Sequence, residues 1–141
     1  MTGINRVLLA AKTATVRRHL ARVAERLPAD PANMRPATDA SDAVILHLWQ
    51  ATQIVIDVAV ATCVQMDLGY PAGYADAFRV LERHGVIEAA LADRMVRAAG
   101  FRNVVAHAYD TLDMARVHAA ASNGPVDLLA ALAAVETRLA D

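Results

Sequence analysis

The chain has 141 residues, 56% hydrophobic and only 4% aromatic, with one cysteine, Cys63. This fits a single domain over residues 1–141, excludes an internal disulfide, and leans helical because alanine, the best helix former, supplies much of the apolar content. A formal net charge of −1 excludes a protein that grips nucleic acid through its overall charge and leaves that task to a local patch. Lys12 is the one lysine among 14 basic residues; the others are arginines, whose forked guanidinium suits phosphate better than an ammonium does.

Residues Ile4 to Leu27 have the pattern of a first helix. Val16, Leu20, Val23 and Leu27 fall on one stripe, and Arg17, Arg18, Arg22 and Arg26 lie mostly off it as a solvated face. Met1 to Ala11 lacks the build of a signal peptide, because only a short apolar run separates Arg6 from Lys12. Pro28, Pro31 and Pro36 break the pattern over residues 28–40, an ordered Pro-rich loop. A second helix starts at Asp39 or Ser41, either of which can cap it. Its stripe runs through Ile45, Leu48, Thr52, Ile56, Ala59, Cys63 and Met66, widened by Val44, Val55 and Val58, which makes it the spine of the core. Its β-branched residues raise the alternative of a strand, and its length without a turn residue argues for helix. Asp57, near the centre of this apolar run, argues against a membrane span, so the expected location is the cytoplasm. Gly69-Tyr70-Pro71 stops the helix.

A third helix covers Gly73 to Arg83, points Phe78 and Leu81 inward, and ends at His84-Gly85. The fourth begins near Val86 or Ile87 and runs through Leu91, Met95 and Ala98 into residues 100–110. A short helix is expected over Leu112 to Ala120, and Asn123-Gly124-Pro125 is the start signal of a last one carrying Leu128, Leu129, Leu132, Val135 and Leu139 on its apolar face. The sum is an all-α antiparallel bundle of four to six helices.

The chemistry concentrates in Gly100-Phe101-Arg102-Asn103-Val104-Val105-Ala106-His107-Ala108-Tyr109-Asp110. On a continuous helix, measured from Arg102, Tyr109 falls at about −20°, Asp110 at about 80°, Asn103 at about 100° and His107 at about 140°. Phe101, Val104, Val105 and Leu112 fall between about 200° and 300° as a core stripe. Imidazole titrates near neutrality and can move a proton to or from a ribose 2′-hydroxyl or a leaving oxygen. A guanidinium can hold the phosphate and stabilise charge developing on its oxygens. Asn103, one turn before His107, can orient its ring. This chemistry calls for no metal, and His19, His47, His84 and His118 lack the spacing of metal ligands. Two blander roles stand beside these: Tyr109 packing at a helix end, and Asp110 capping the next segment.

Arg102-Asn103-Val104-Val105-Ala106-His107 resembles the HEPN ribonuclease motif, an Arg often followed by Asn, then four to six residues to a His. The extension His107-Ala108-Tyr109 resembles the version in HepT toxins, as do Gly100-Phe101 ahead of the motif and Ala77-Phe78, Leu81 and Gly85-Val86-Ile87 further upstream. Leu48-Trp49-Gln50 and Ile56-Asp57 are similar to the family's second helix. The resemblance implies a two-fold dimer whose motif helices form a composite cleft, acting as an endoribonuclease on RNA, without metal or cofactor and not on DNA. It makes Arg102 and His107 catalytic, with Asn103 and Asp110 in support. It also implies an MNT-type nucleotidyltransferase antitoxin that silences the toxin by adding AMP to Tyr109. Two features depart from the family: the loop over residues 28–40 is long, and Gln53 stands where members often carry Glu. Neither is expected to touch the motif. The alternative is a non-catalytic helical module that docks a nucleotidyltransferase or a nucleotide on the same helix, suggested by the near-neutral charge and the Ala-rich faces.

Overall fold

The apolar spacing is realised as five helices in a computed structural model that describes residues 4–140. They are α1 (Arg6–Arg26), α2 (Asp39–Gln65), α3 (Tyr74–Arg83), α4 (Ala89–His107) and α5 (Met114–Ala140). No strand occurs among the described residues. The expectation for Met1–Gly3 lies outside the described residues, as does Asp141. The chain is all-α, and the helices pack as an antiparallel bundle.

Helix α2 is the spine, touching each of the other four. Val44, Ile45, Leu48, Ala51, Val55, Ile56, Val58, Ala59 and Cys63 are all buried along it. Apolar pairs one residue apart widen the usual stripe, so α2 buries more than one side. Thr52 and Thr62, also buried, donate their hydroxyls to the carbonyls of Leu48 and Val58 one turn back, at 2.8 and 2.7 Å, which satisfies them inside the core. By length and composition α2 is able to span a bilayer, yet 50% of that stretch is buried inside the bundle and Asp57 lies on its exposed side.

The helix ends follow local chemistry. Asn5 caps α1 by accepting from the Leu8 N–H at 2.8 Å. Helix α2 is capped by Thr38, ahead of the expected Asp39 or Ser41. Ser41 instead donates its hydroxyl to the Arg35 carbonyl at 2.6 Å. The Pro-rich loop is ordered as expected: Pro31–Asn33 forms a single 3₁₀ turn, Met34 is buried, and His118 of α5 bonds the Pro28 carbonyl oxygen at 2.7 Å. Ala37 sits at φ 60°, a left-handed conformation that costs a non-glycine residue about 1–2 kcal/mol. Helix α2 stops at Gln65, before Gly69, because Asp67 already turns left-handed at φ 55°.

The C-terminal third differs from expectation. Residues 114–140 form one continuous helix, with Pro125 in its interior, rather than two helices broken at Asn123-Gly124-Pro125. Proline inside a helix costs about 3 kcal/mol because it removes one backbone bond and crowds the preceding turn. Val117, His118 and Ala121 before it and Leu128, Ala131, Leu132 and Val135 after it are all buried. Their spacing of four, three and seven keeps them on one stripe, and the burial of that stripe outweighs the break.

Between α1 and α2, His19 Nδ1 and His47 Nδ1 lie 3.0 Å apart. Only one of the two nitrogens can carry the shared proton. Burial holds the His19 imidazole below its ordinary value, and the neighbouring His47 and Arg18 push the same way. The unfolded chain therefore binds more protons here than the folded one, and stability falls as pH drops below about 6.5. The thermal midpoint is expected to decline between pH 7 and pH 5, with a shallower decline in His19→Gln; equal slopes in the two proteins would refute this.

Candidate active site

The site is built on α4, α2 and α3. Helix α4 packs against α2 and α3 and directs Arg102 at both. The Arg102 Nε–H donates to Gln53 Oε1 of α2 at 2.6 Å, and Nη1 donates to Asn103 Oδ1 at 3.1 Å. The guanidinium carbon stands 5.1 Å from the ring centroid of Trp49 on α2 and 5.1 Å from that of Tyr74 at the start of α3. Each such cation–π contact contributes about 0.5–1 kcal/mol at a partly exposed site. Arg102 is half-buried, and Nη2 makes no hydrogen bond among the described residues.

Gln53 does more than accept from Arg102. Its Nε2–H donates to Asp57 Oδ1, one turn further along α2, at 2.9 Å. An amide both accepts and donates, so Gln53 takes the guanidinium N–H on its oxygen and gives its own N–H to the carboxylate. The departure from the family's common Glu is thus coupled to the motif, contrary to the expectation that it stays clear of it. A glutamate here would set its carboxylate against that of Asp57; glutamine turns that repulsion into a relay, Asp57–Gln53–Arg102.

Two hollows flank Trp49. The larger, of 380 Å³, lies between α2, α4 and α5, with Leu48, Trp49, Phe101 and Leu128 among its walls and Arg94, Arg97 and Arg102 along α4. The second, of 360 Å³, is a groove toward the C-terminal end of α4, between Asp42, Trp49, Val105 and Tyr109. The Trp49 indole N–H is buried with no partner, an unsatisfied donor of a kind native proteins seldom tolerate.

His107 ends α4 and is exposed, with no hydrogen bond among the described residues. It lies about 7.5 Å along the axis from Arg102. The two motif residues thus share a helix and are both open to solvent, but the fold does not join them in one hydrogen-bonded cluster. Asn103 bonds Arg102 and does not orient the His107 ring. Val104, expected in the core, is 52% exposed. It belongs with Gly100, Asn103 and His107 to the open face of α4.

Tyr109 and Asp110 lie off the helix. The chain leaves α4 at His107, and Tyr109–Thr111 forms a separate 3₁₀ turn, so the angles of a continuous helix no longer apply to them. The Tyr109 hydroxyl donates to Asp42 Oδ1 in the first turn of α2 at 2.6 Å. Burial, this hydrogen bond and the charges of Asp42 and Asp110 push its pKa up to about 12. Tyr109 is therefore a held hydroxyl, not a packing ring. Asp110 makes no hydrogen bond among the described residues; Asp113 is the side chain that caps the next segment, accepting from the Ala115 N–H at 2.9 Å. No group of three potential metal ligands occurs among the described residues.

Sequence reasoning gave four residues no part in the site: Gln53, set aside as clear of the motif; Trp49, noted only as similar to the family's second helix; and Tyr74 and Asp42, not singled out. One signal was available. The chain has two Phe, one Trp and three Tyr, and Trp49, Tyr74, Phe101 and Tyr109 of these six gather around Arg102 and the two hollows beside Trp49.

Residues 16–135 match the model of a family described as ribonuclease HepT-like. The chain is 29% identical over 103 residues to the mRNA nuclease HepT of Shewanella oneidensis, covering 73% of this chain and 77% of that protein. Its fold matches the solved structure of the tri-AMPylated Shewanella oneidensis HEPN toxin in complex with MNT antitoxin, with TM-score 0.81 and 25% identity, over 92% of this chain and 96% of that one. A toxin–antitoxin crystal structure with AMP-PNP has the same fold, with TM-score 0.80 and 24% identity over 90% and 96% of the two chains.

The relay is tested by Gln53→Leu, which strips Arg102 Nε and Asp57 of a partner together. A loss of about 1 kcal/mol is expected in urea unfolding, the usual worth of such a bond. A leucine variant as stable as the parent would show that the relay does not hold Arg102.

Proposed function

We propose that this chain, which belongs to the ribonuclease HepT-like family, is an RNA-cleaving toxin whose chemistry runs through Arg102 and His107 without a metal. The observation that carries the reading is the Arg102 guanidinium, fixed by Gln53, Trp49 and Tyr74 and open at Nη2. A cation so fixed loses little freedom on binding phosphate and stabilises the charge that builds on the oxygens. In the reaction a ribose 2′-oxygen attacks the adjacent phosphorus, the bond to the 5′-oxygen breaks, and a 2′,3′-cyclic phosphate forms. Exposed His107 takes the 2′-proton or gives one to the leaving oxygen. The name of the Shewanella relative, an mRNA nuclease, supports the substrate class.

A single α4 offers one motif arginine, Arg102, and one imidazole, His107, about 140° apart around the axis. Two copies meeting through the open face with Gly100, Asn103, Val104 and His107 would bring both pairs to one cleft. The exposed Val104 and the open space around Gly100 support a close helix–helix approach there. The dimer also gathers positive charge locally in a chain of net charge −1.

Control of the toxin falls to an MNT-type nucleotidyltransferase that adds AMP to Tyr109, by analogy with the AMPylated relative. The phenolic oxygen attacks the α-phosphorus of ATP and pyrophosphate leaves. With its pKa raised to about 12 the hydroxyl keeps its proton at neutral pH, so an acceptor is needed, and Asp42 stands 2.6 Å away. The added adenylate would occupy the groove between Asp42, Trp49, Val105 and Tyr109.

His107→Ala and Arg102→Ala are each expected to lower RNA cleavage by at least about 100-fold, in EDTA as in magnesium, with the helical fold intact. A His107→Ala protein that cuts RNA like the parent would refute the assignment. For the control step, Asp42→Asn is expected to slow AMP addition by about 100-fold, read by intact mass. Addition at the parental rate, or continued addition to Tyr109→Phe, would refute it.

A further inference from the structure

The 380 Å³ cavity between α2, α4 and α5 has no part in the chemistry described above. We propose that it is a nucleobase subsite, taking the purine base of the nucleotide next to the phosphate held by Arg102; this rests on the nuclease reading. The volume falls in the range of small-ligand pockets. Leu48, Trp49, Phe101 and Leu128 supply flat or aliphatic wall, which suits an unstacked base. Arg102 borders this cavity and also belongs to the motif, so an occupant would have its phosphate beside the guanidinium while its base is inside.

The polar groups agree with a base rather than a lipid or an alkyl chain. Asn123 and Asp127 border the cavity from α5. Arg94 holds Asp127 through Nε to Oδ1 at 2.9 Å, which leaves Oδ2 as an acceptor for the N–H groups on the edge of adenine or guanine. Asn123 offers both a donor and an acceptor and makes no hydrogen bond among the described residues. Arg97, likewise without an ion pair among the described residues, adds a second cation for the backbone.

Trp49 is the only tryptophan, so its emission reports occupancy directly. The full chain is titrated with AMP, GMP, UMP and ribose 5-phosphate, none of which can be cleaved. Purine monophosphates are expected to quench Trp49 at concentrations at least about ten-fold below those of ribose 5-phosphate, with UMP between. Gly124 lines the cavity, and a Cβ added there meets nothing within 4 Å, so Gly124→Leu fills the space from a helical position that tolerates a side chain. It is expected to weaken purine binding and raise the KM for RNA, each by about ten-fold. Ala120→Leu fills the cavity from another point on α5 and is expected to act likewise, should the first variant fold poorly. Equal binding of ribose 5-phosphate and AMP, or unchanged purine binding in a folded filling variant, overturns the subsite. The titration involves no cleavage, so failure of the subsite is distinguishable from failure of the nuclease reading, which His107→Ala tests alone.

Discussion

The guanidinium of Arg102 is the point on which the site turns, and it is held from outside its own helix. Helix α4 supplies the residue, but Gln53, Trp49 and Tyr74 decide where it stands. A free arginine samples many rotamers, and ordering it costs up to about 2 kcal/mol. The bond to Gln53 and the two ring contacts meet that cost in the folded protein, before any phosphate arrives. Gln53 is in turn oriented by Asp57, and both sit on α2, the helix most firmly fixed by burial. The rigidity of the core is passed to the site through the Gln53 amide and the Trp49 ring, both on α2.

The same arrangement reconciles a weakly acidic chain with a polyanionic ligand. Arg94, Arg97 and Arg102 gather on α4, while the arginines of α1 are spread over a solvated face. Arg94 is neutralised by Asp127 at 2.9 Å, which leaves Arg97 and Arg102 beside the cavity without an ion pair among the described residues. Local charge is what a bound phosphate feels within a Debye length of about 8–10 Å. Tyr109 lies on the other side of Trp49, in its own groove, so one indole stands between Arg102 and the tyrosine and the two do not share one helix face.

Much of the fold was legible because burial in helices leaves a period of three to four. The stripes on α1 and α2 and the inward Phe78 and Leu81 are where the spacing put them. That Arg102, Asn103 and His107 share one helix was legible in the helical period, and all three lie on α4. What stayed hidden was tertiary. Gln53 is 49 residues from Arg102 and Asp42 is 67 residues from Tyr109, and no local pattern links them. Asn123-Gly124-Pro125 misled because a local break signal competes with a stripe that stays in phase across it. Tyr109 and Asp110 were misplaced because nothing local forecast that α4 would end at His107.

The central claim is that Arg102 is pre-fixed and faces the substrate phosphate. The ¹⁵N-edited NMR signal of its Nε–H group tests this most directly. In the free protein that signal is expected to be resolved from the other arginines and slow to exchange with water. Adding an RNA strand made uncleavable by 2′-O-methylation should shift it further. A signal averaged with the exposed arginines, or one unmoved by the strand, would contradict the account.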